Sequence, residues 1–284
     1  MEGLVEHVVE HEGQSLRYLA GGHGPAMLLC HGFIGSAENF SDWFPALLTR
    51  RTVVVPDLPG FGASASHPAP ADAATMARAA LAAADDAGVA RFDVSGLCLG
   101  ASVALAVQRA RPEAVDRMVL HTPLLAPWLT RRRFHLQAGF MLAPGVFPGI
   151  VWLSRRRIVS DLYKRLMVEG AGVDPAAAQV NFDNQRRADA RAAREWLRDG
   201  LRRHELSQLS GSASPTLVLV AAEDRIVDVD RLRRALSGMP HVQLAVIEEG
   251  GHAWTQAMID QQARLLAAFL DDLPLPHAGA ASAA

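Results

Sequence analysis

Arg91-Phe92-Asp93-Val94-Ser95-Gly96-Leu97-Cys98-Leu99-Gly100-Ala101-Ser102 reads as a short apolar strand that turns sharply into a helix. The turn itself is Gly96-Leu97-Cys98-Leu99-Gly100. A residue at the apex of such a turn needs small residues two before and two after it, because the backbone passes close to neighbouring strands and to the helix start. Cys98 occupies that apex. The helix N-terminus behind it favours negative charge, which suits both a thiolate and an oxyanion. No Gly-x-Ser-x-Gly occurs anywhere in the chain, so a shift of frame does not bring a serine to this place. The plain alternative is a small buried cysteine packed beside glycines. The acid and base found further along the chain decide between the two readings.

Outward from this turn, short apolar runs alternate with helical patterns. Leu4–Val9 and Ser15–Leu19 read as two opening strands joined near Gly13. Ala26–Cys30, Thr52–Pro56, Arg91–Gly96, Arg117–His121, Thr216–Ala221 and Val242–Ile247 complete a set of eight, with an Ala-rich helix over about 71–87. Continuous apolar runs bounded by turns, with helices between them, indicate a mostly parallel sheet covered on both faces. The beat fails between about Pro123 and Ser207. That span is Arg-rich, carries Trp128, Trp152 and Trp196, and is expected to be an inserted helical cap; 185–201 reads as one run of helical spacing. The expected division is a core of 1–122 and 208–272, a cap of 123–207, and a flexible Pro/Ala/Gly-rich tail of 273–284.

Ligands of open parallel sheets bind beyond the carboxyl ends of the strands. The segments expected there are His31-Gly32-Phe33-Ile34-Gly35, Asp57-Leu58-Pro59-Gly60-Phe61-Gly62, the Cys98 turn, Glu223-Asp224-Arg225 and Gly250-Gly251-His252. A thiol, a carboxylate and an imidazole therefore arrive at one edge of one sheet. Asp224 is preferred over Asp228 and Asp230 because it ends a strand, whereas they fall toward or inside the next helix. His252 is the only histidine between the last strand and the last helix.

Composition narrows the classes. At 284 residues, 50% hydrophobic and 20% charged, the chain can bury a full core. A net charge of −2 gives no electrostatic case for nucleic acid. Two cysteines exclude a disulfide framework and a zinc finger, and neither cofactor nor metal is called for. The N-terminus has no basic region followed by an apolar run, so no secretory leader is expected and the expected location is cytoplasmic. Residues 134–154, between Arg131-Arg132-Arg133 and Arg155-Arg156-Arg157, have the length of a membrane span but contain His135, Gln137, Pro144 and Pro148. An apolar lid over a pocket is the expectation, with a weak membrane-surface contact as the alternative. The oligomeric state stays open.

The chain resembles the α/β-hydrolase superfamily in His31-Gly32-Phe33, in DLPGFGAS from Asp57 to Ser64, in the Gly96–Gly100 turn, and in Asp224 and His252. The order nucleophile, acid, base is that superfamily's order. Most members carry Ser where this chain has Cys98; dienelactone hydrolases and some thioesterase-like members are similar in using Cys. The resemblance implies a Cys98-His252-Asp224 triad. It also implies an oxyanion hole from the backbone N–H groups of Phe33 and Leu99. His31, Gly32, Trp128, Phe140 and Trp152 are expected to line the site of a small, apolar acyl substrate, with Phe134, Met141, Phe147 and Leu153 adding to an apolar channel. An ester, lactone or thioester hydrolase is the first expectation. An acyltransferase or cyclase, and a non-catalytic binding protein of the same fold, are the alternatives.

Overall fold

The computed structural model describes residues 3–167, 175–248, 250–252 and 256–276. Eight strands form one sheet: β1 Leu4–His11, β2 Gln14–Gly22, β3 Ala26–Cys30, β4 Thr52–Pro56, β5 Phe92–Leu97, β6 Val115–His121, β7 Thr216–Ala221 and β8 Val242–Ile247. Their order is β1-β2-β4-β3-β5-β6-β7-β8. β1 and β2 are antiparallel, as are β2 and β4, and every later pairing is parallel.

The helices are α1 Phe44–Leu47, α2 Ala73–Asp86, α3 Gly100–Ala110, α4 Arg132–Met141, α5 Val146–Ser154, α6 Arg157–Met167, α7 Pro175–Arg187, α8 Ala190–Gly200, α9 Leu206–Gly211, α10 Val229–Leu236 and α11 Gln256–Leu270. Strand alternation divides the core between the two faces of the sheet. Leu28 and Cys30 of β3 point to one face with Val54, Val94 and the alanines of α2. Met27 and Leu29 point to the other face with Val53, Val55, Phe44 of α1 and Leu265 of α11. Each fully buried Leu, Val or Phe contributes roughly 1.5–3 kcal/mol, so the central strands, buried on both faces, are the most strongly held part of the chain. The alanines of α2 let that helix lie close: Ala73, Ala79, Ala80 and Ala83 are fully buried.

Between β6 and β7 the described residues are mostly helical. The run over 185–201 is two helices rather than one, because Asp189 accepts a hydrogen bond from the Ala192 amide and starts α8 afresh. α9 extends beyond residue 207, where the sequence places the end of the insertion. α8 packs on the loops that follow β3, β4 and β5: Trp196 is fully buried against Phe61 and His31, and Gly200 lies against the Leu99 side chain. α4 and α5 together have the length and composition of a membrane span, but they are bent by 99° and no single described helix is long and apolar enough to cross a membrane. In the expected tail, Leu275 packs against the core beside α11; residues from 277 onward lie outside the described residues.

Candidate active site

Cys98 sits between β5 and α3 with φ 55°, a left-handed conformation costly for a residue with a side chain. The surrounding backbone holds it there. The Cys98 amide donates to the His121 carbonyl at 2.8 Å. The spacing of small residues has a direct cause. A Cβ at Gly96 would lie 2.3 Å from the Gly100 carbonyl oxygen, and one at Gly100 would lie 2.3 Å from that of Cys30. The half-buried thiol lies beside His252 and helps to raise the pKa of its imidazole.

His252 and Asp224 arrive from the ends of β8 and β7. His252 Nδ1 lies 2.9 Å from Asp224 Oδ2 and 3.2 Å from Oδ1, which leaves Nε2 for Cys98. Asp224 is fully buried, and its Oδ1 accepts from the amides of Ile226 at 2.7 Å and Val227 at 2.8 Å. Burial alone would hold the His252 pKa down; the Asp224 carboxylate and Cys98 outweigh it and hold it well above the usual imidazole value. The neighbouring acids have other occupations. Asp228 caps α10 through the Arg231 amide, and Asp230 is exposed beside Arg233.

The His31–Gly35 loop lies directly against the turn. A Cβ at Gly32 would stand 2.7 Å from the Leu97 carbonyl oxygen and 3.2 Å from Cys98 Cβ. Ile34 is held at φ 53°, an unusual place for a β-branched residue. Phe33 is half-buried and Leu99 buried; among the described residues neither backbone N–H donates to a protein acceptor. These donors border Cys98 with hydrogen-bonding capacity to spare.

His31 does not line the site as expected. It is fully buried: Nε2 accepts from the Leu58 amide at 2.9 Å, so Nδ1 carries the proton and donates to the Gly32 carbonyl at 2.9 Å. Both nitrogens are used, and burial lowers its pKa. Its work is to hold the Gly32–Phe33 backbone against the loop after β4. The apolar channel also divides. Phe147 is buried, and Phe134 and Met141 pack on the core. Trp128, Phe140 and Trp152 are 49%, 66% and 59% exposed, and Leu153 is exposed with them, so these four do not form an enclosed lining.

Sequence reasoning missed three supports. Asp57 is fully buried and accepts from the amides of Ala37 and Ala63, both at 2.8 Å, and from Arg17 at 3.0 Å; it ties the loop after β3 to the Gly62 turn. Its place at a strand end beside glycines was the available signal. Arg131 donates to the Asp224 carbonyl at 2.7 Å, and Thr130 pairs with Val227, so the start of the insertion braces the Asp224 loop. Asn39 joins the loop after β3 to α7 through Asn181 and Asn184, each at 3.0 Å. Polar residues in loops give no sequence signal for such partners. Among the described residues no group of three or more His, Cys, Asp or Glu is placed to hold a metal ion.

A family model described as alpha/beta hydrolase fold matches residues 25–254, and the chain belongs to that family. It is 28% identical over 281 residues to the dihydrolipoyllysine-residue acetyltransferase component of the acetoin cleaving system of Pseudomonas putida, covering 95% of this chain and 70% of that one. It is also 28% identical over 264 residues to a pimeloyl-[acyl-carrier protein] methyl ester esterase of Xanthomonas campestris, covering 89% and 98%. Among solved structures it is similar to a membrane phospholipase A described as a bacterial virulence factor, with TM-score 0.74, 26% identity, and 95% and 86% of the two chains covered.

Proposed function

We propose that this hydrolase-class enzyme cleaves an ester or thioester of a small acyl compound through a covalent intermediate on Cys98. The observation that carries the reading is the line from Asp224 through His252 to a thiol held at positive φ on a strand-to-helix turn. The Xanthomonas esterase relative points to the same bond type.

In this reading Cys98 Sγ, its proton on His252 Nε2, attacks the acyl carbon and a carbon–sulfur bond forms. The carbonyl electron pair moves to oxygen, where the Phe33 and Leu99 N–H groups receive it. Collapse expels the alkoxide or thiolate, which takes the proton from His252. Water then gives a proton to His252 and its oxygen to the acyl carbon. The carbon–sulfur bond breaks, releasing the acid and restoring Cys98. Asp224 keeps Nδ1 protonated and oriented throughout.

Acyl transfer is the second reading, favoured by the Pseudomonas relative named as an acetyltransferase component. A thioester on Cys98 is open to an amine, alcohol or thiol in place of water.

Intact-mass measurement with p-nitrophenyl esters, lactones and acyl thioesters tests both readings. An acyl-sized mass increase mapped to Cys98 and lost in Cys98→Ala is expected, with the free acid as product. A product carrying an added nucleophile in place of water would establish transfer. Unchanged turnover by Cys98→Ala would overturn the covalent reading.

A further inference from the structure

The insertion exposes what the core hides. Leu136, Phe140, Trp152, Leu153, Ile158 and Leu162 are between 42% and 83% exposed. They lie on three consecutive helices, α4, α5 and α6, that pack on one another in sequence. The same helices turn other residues inward: Ala138, Phe147, Ser154 and Ser160 are buried. Leu136 and Phe140 are spaced four apart, as are Ile158 and Leu162, so each pair shares one helix face. Scattered exposed apolar residues need no explanation, but a set concentrated on one segment marks a contact surface.

Charge on this segment is one-sided. From Arg131 to Ser160 there are six arginines and no Asp or Glu, whereas the whole chain carries −2. Arg131 is used inside the fold and Arg157 pairs with Asp161. Among the described residues Arg132, Arg155 and Arg156 have no carboxylate partner, and the Arg156 guanidinium lies 4.6 Å over the Trp152 ring. Exposed aromatic and branched apolar side chains interleaved with unpaired arginines are the composition of a helix that lies in the interface of a bilayer. A bend of 99° between α4 and α5 fits lying on a surface and not crossing it.

We infer that the outward side of α4–α6 docks on an anionic phospholipid surface, its apolar side chains entering the headgroup region and Arg132, Arg155 and Arg156 pairing with lipid phosphates. The inference stands apart from the Cys98 assignment: Cys98→Ala is expected to bind vesicles as the parent does.

Flotation of the full chain with vesicles tests it. With three parts phosphatidylcholine to one part phosphatidylglycerol, the protein is expected to float with the lipid. With phosphatidylcholine alone, or in high salt, at least about ten-fold less should float, because the phosphate contacts are screened. Arg132→Glu/Arg155→Glu/Arg156→Glu and, separately, Phe140→Ser/Ile158→Ser should each lose about ten-fold or more with an unchanged melting curve, since these side chains are exposed. Brominated lipid should quench tryptophan fluorescence in the parent and much less in Trp152→Phe. Parent-like flotation by both multiple variants would overturn the inference, as would absence of flotation on anionic vesicles. It would equally be overturned by a dimer, seen in sedimentation without any lipid binding, that Phe140→Ser/Ile158→Ser dissolves; the face would then belong to a second copy.

Discussion

The molecule carries the same two residue types in two settings. In the interior, Cys30 at the end of β3 and His121 at the end of β6 are fully buried; burial pushes the Cys30 thiol up to about 12 and the His121 imidazole down to about 3. At the sheet edge, Cys98 and His252 face each other with Asp224 behind, and the imidazole is raised instead. The two settings touch, since Gly100 of the turn rests on the Cys30 carbonyl. Where burial dominates, a thiol and an imidazole are driven toward their neutral forms, whereas a buried carboxylate within hydrogen-bonding distance favours the charged imidazole. Residue identity sets neither outcome.

The largest expected effect separates the two thiols. Cys98→Ala should lower kcat/KM on a cleavable ester by at least about 10³-fold with the fold intact, and His252→Ala should cost nearly as much, because the members of one catalytic unit are not additive. Cys30→Ala should leave kcat/KM within a few-fold and lower stability by about 1 kcal/mol through lost packing. Steady-state kinetics beside thermal melts reads both; equal losses from the two cysteine variants would erase the distinction.

Next is selective alkylation. Iodoacetamide at neutral pH should label Cys98 and spare Cys30, whose buried thiol is inaccessible and neutral. In His252→Ala the Cys98 labelling rate should fall. Peptide mapping checks both, and preferential labelling of Cys30 would invert the comparison.

Gly100→Ala probes the contact between the settings. Its Cβ would press on the Cys30 and His31 carbonyl oxygens at 2.3 and 2.4 Å, so a loss of about 2–3 kcal/mol is expected from overpacking. Activity should fall further than the lost stability explains, because the turn and the Gly32–Phe33 loop both shift.

The smallest effect is in pH dependence, where the two histidines have opposite signs. His121 binds its proton more tightly unfolded than folded, so its contribution to stability is lost as pH falls from about 6.5 toward about 3. His252 is raised in the fold, so its contribution is full below about 6.5 and is lost as pH rises through its folded value. Denaturant titrations across pH should show a shallower acid slope in His121→Leu and a shallower alkaline slope in His252→Ala.

The contrast also explains what could be read in advance. β3, β4, β7 and β8 have the same bounds in sequence and structure, because continuous apolar runs between turn residues are the direct imprint of a doubly covered strand. The places of Cys98, Asp224 and His252 followed from strand ends, which are also visible in the pattern. The side on which an aromatic residue falls was not. Trp128, Phe140 and Trp152 look alike in sequence to Trp196, yet only Trp196 is buried, because helix packing in three dimensions selects the face. His31 looked available because a ring gives no hint of which backbone groups will take both its nitrogens.

The bridge between Thr130 and Val227, with Arg131 on the Asp224 carbonyl, has a consequence for how such a protein can be rebuilt. The insertion is not a detachable module whose seams lie at its ends. Its first residues form part of the mounting for Asp224. A chimera that exchanges the insertion at residue 123 discards that mounting together with the helices, while one joined after Arg131 keeps it. A graft of the insertion between relatives therefore keeps this mounting only when it is joined downstream of that arginine.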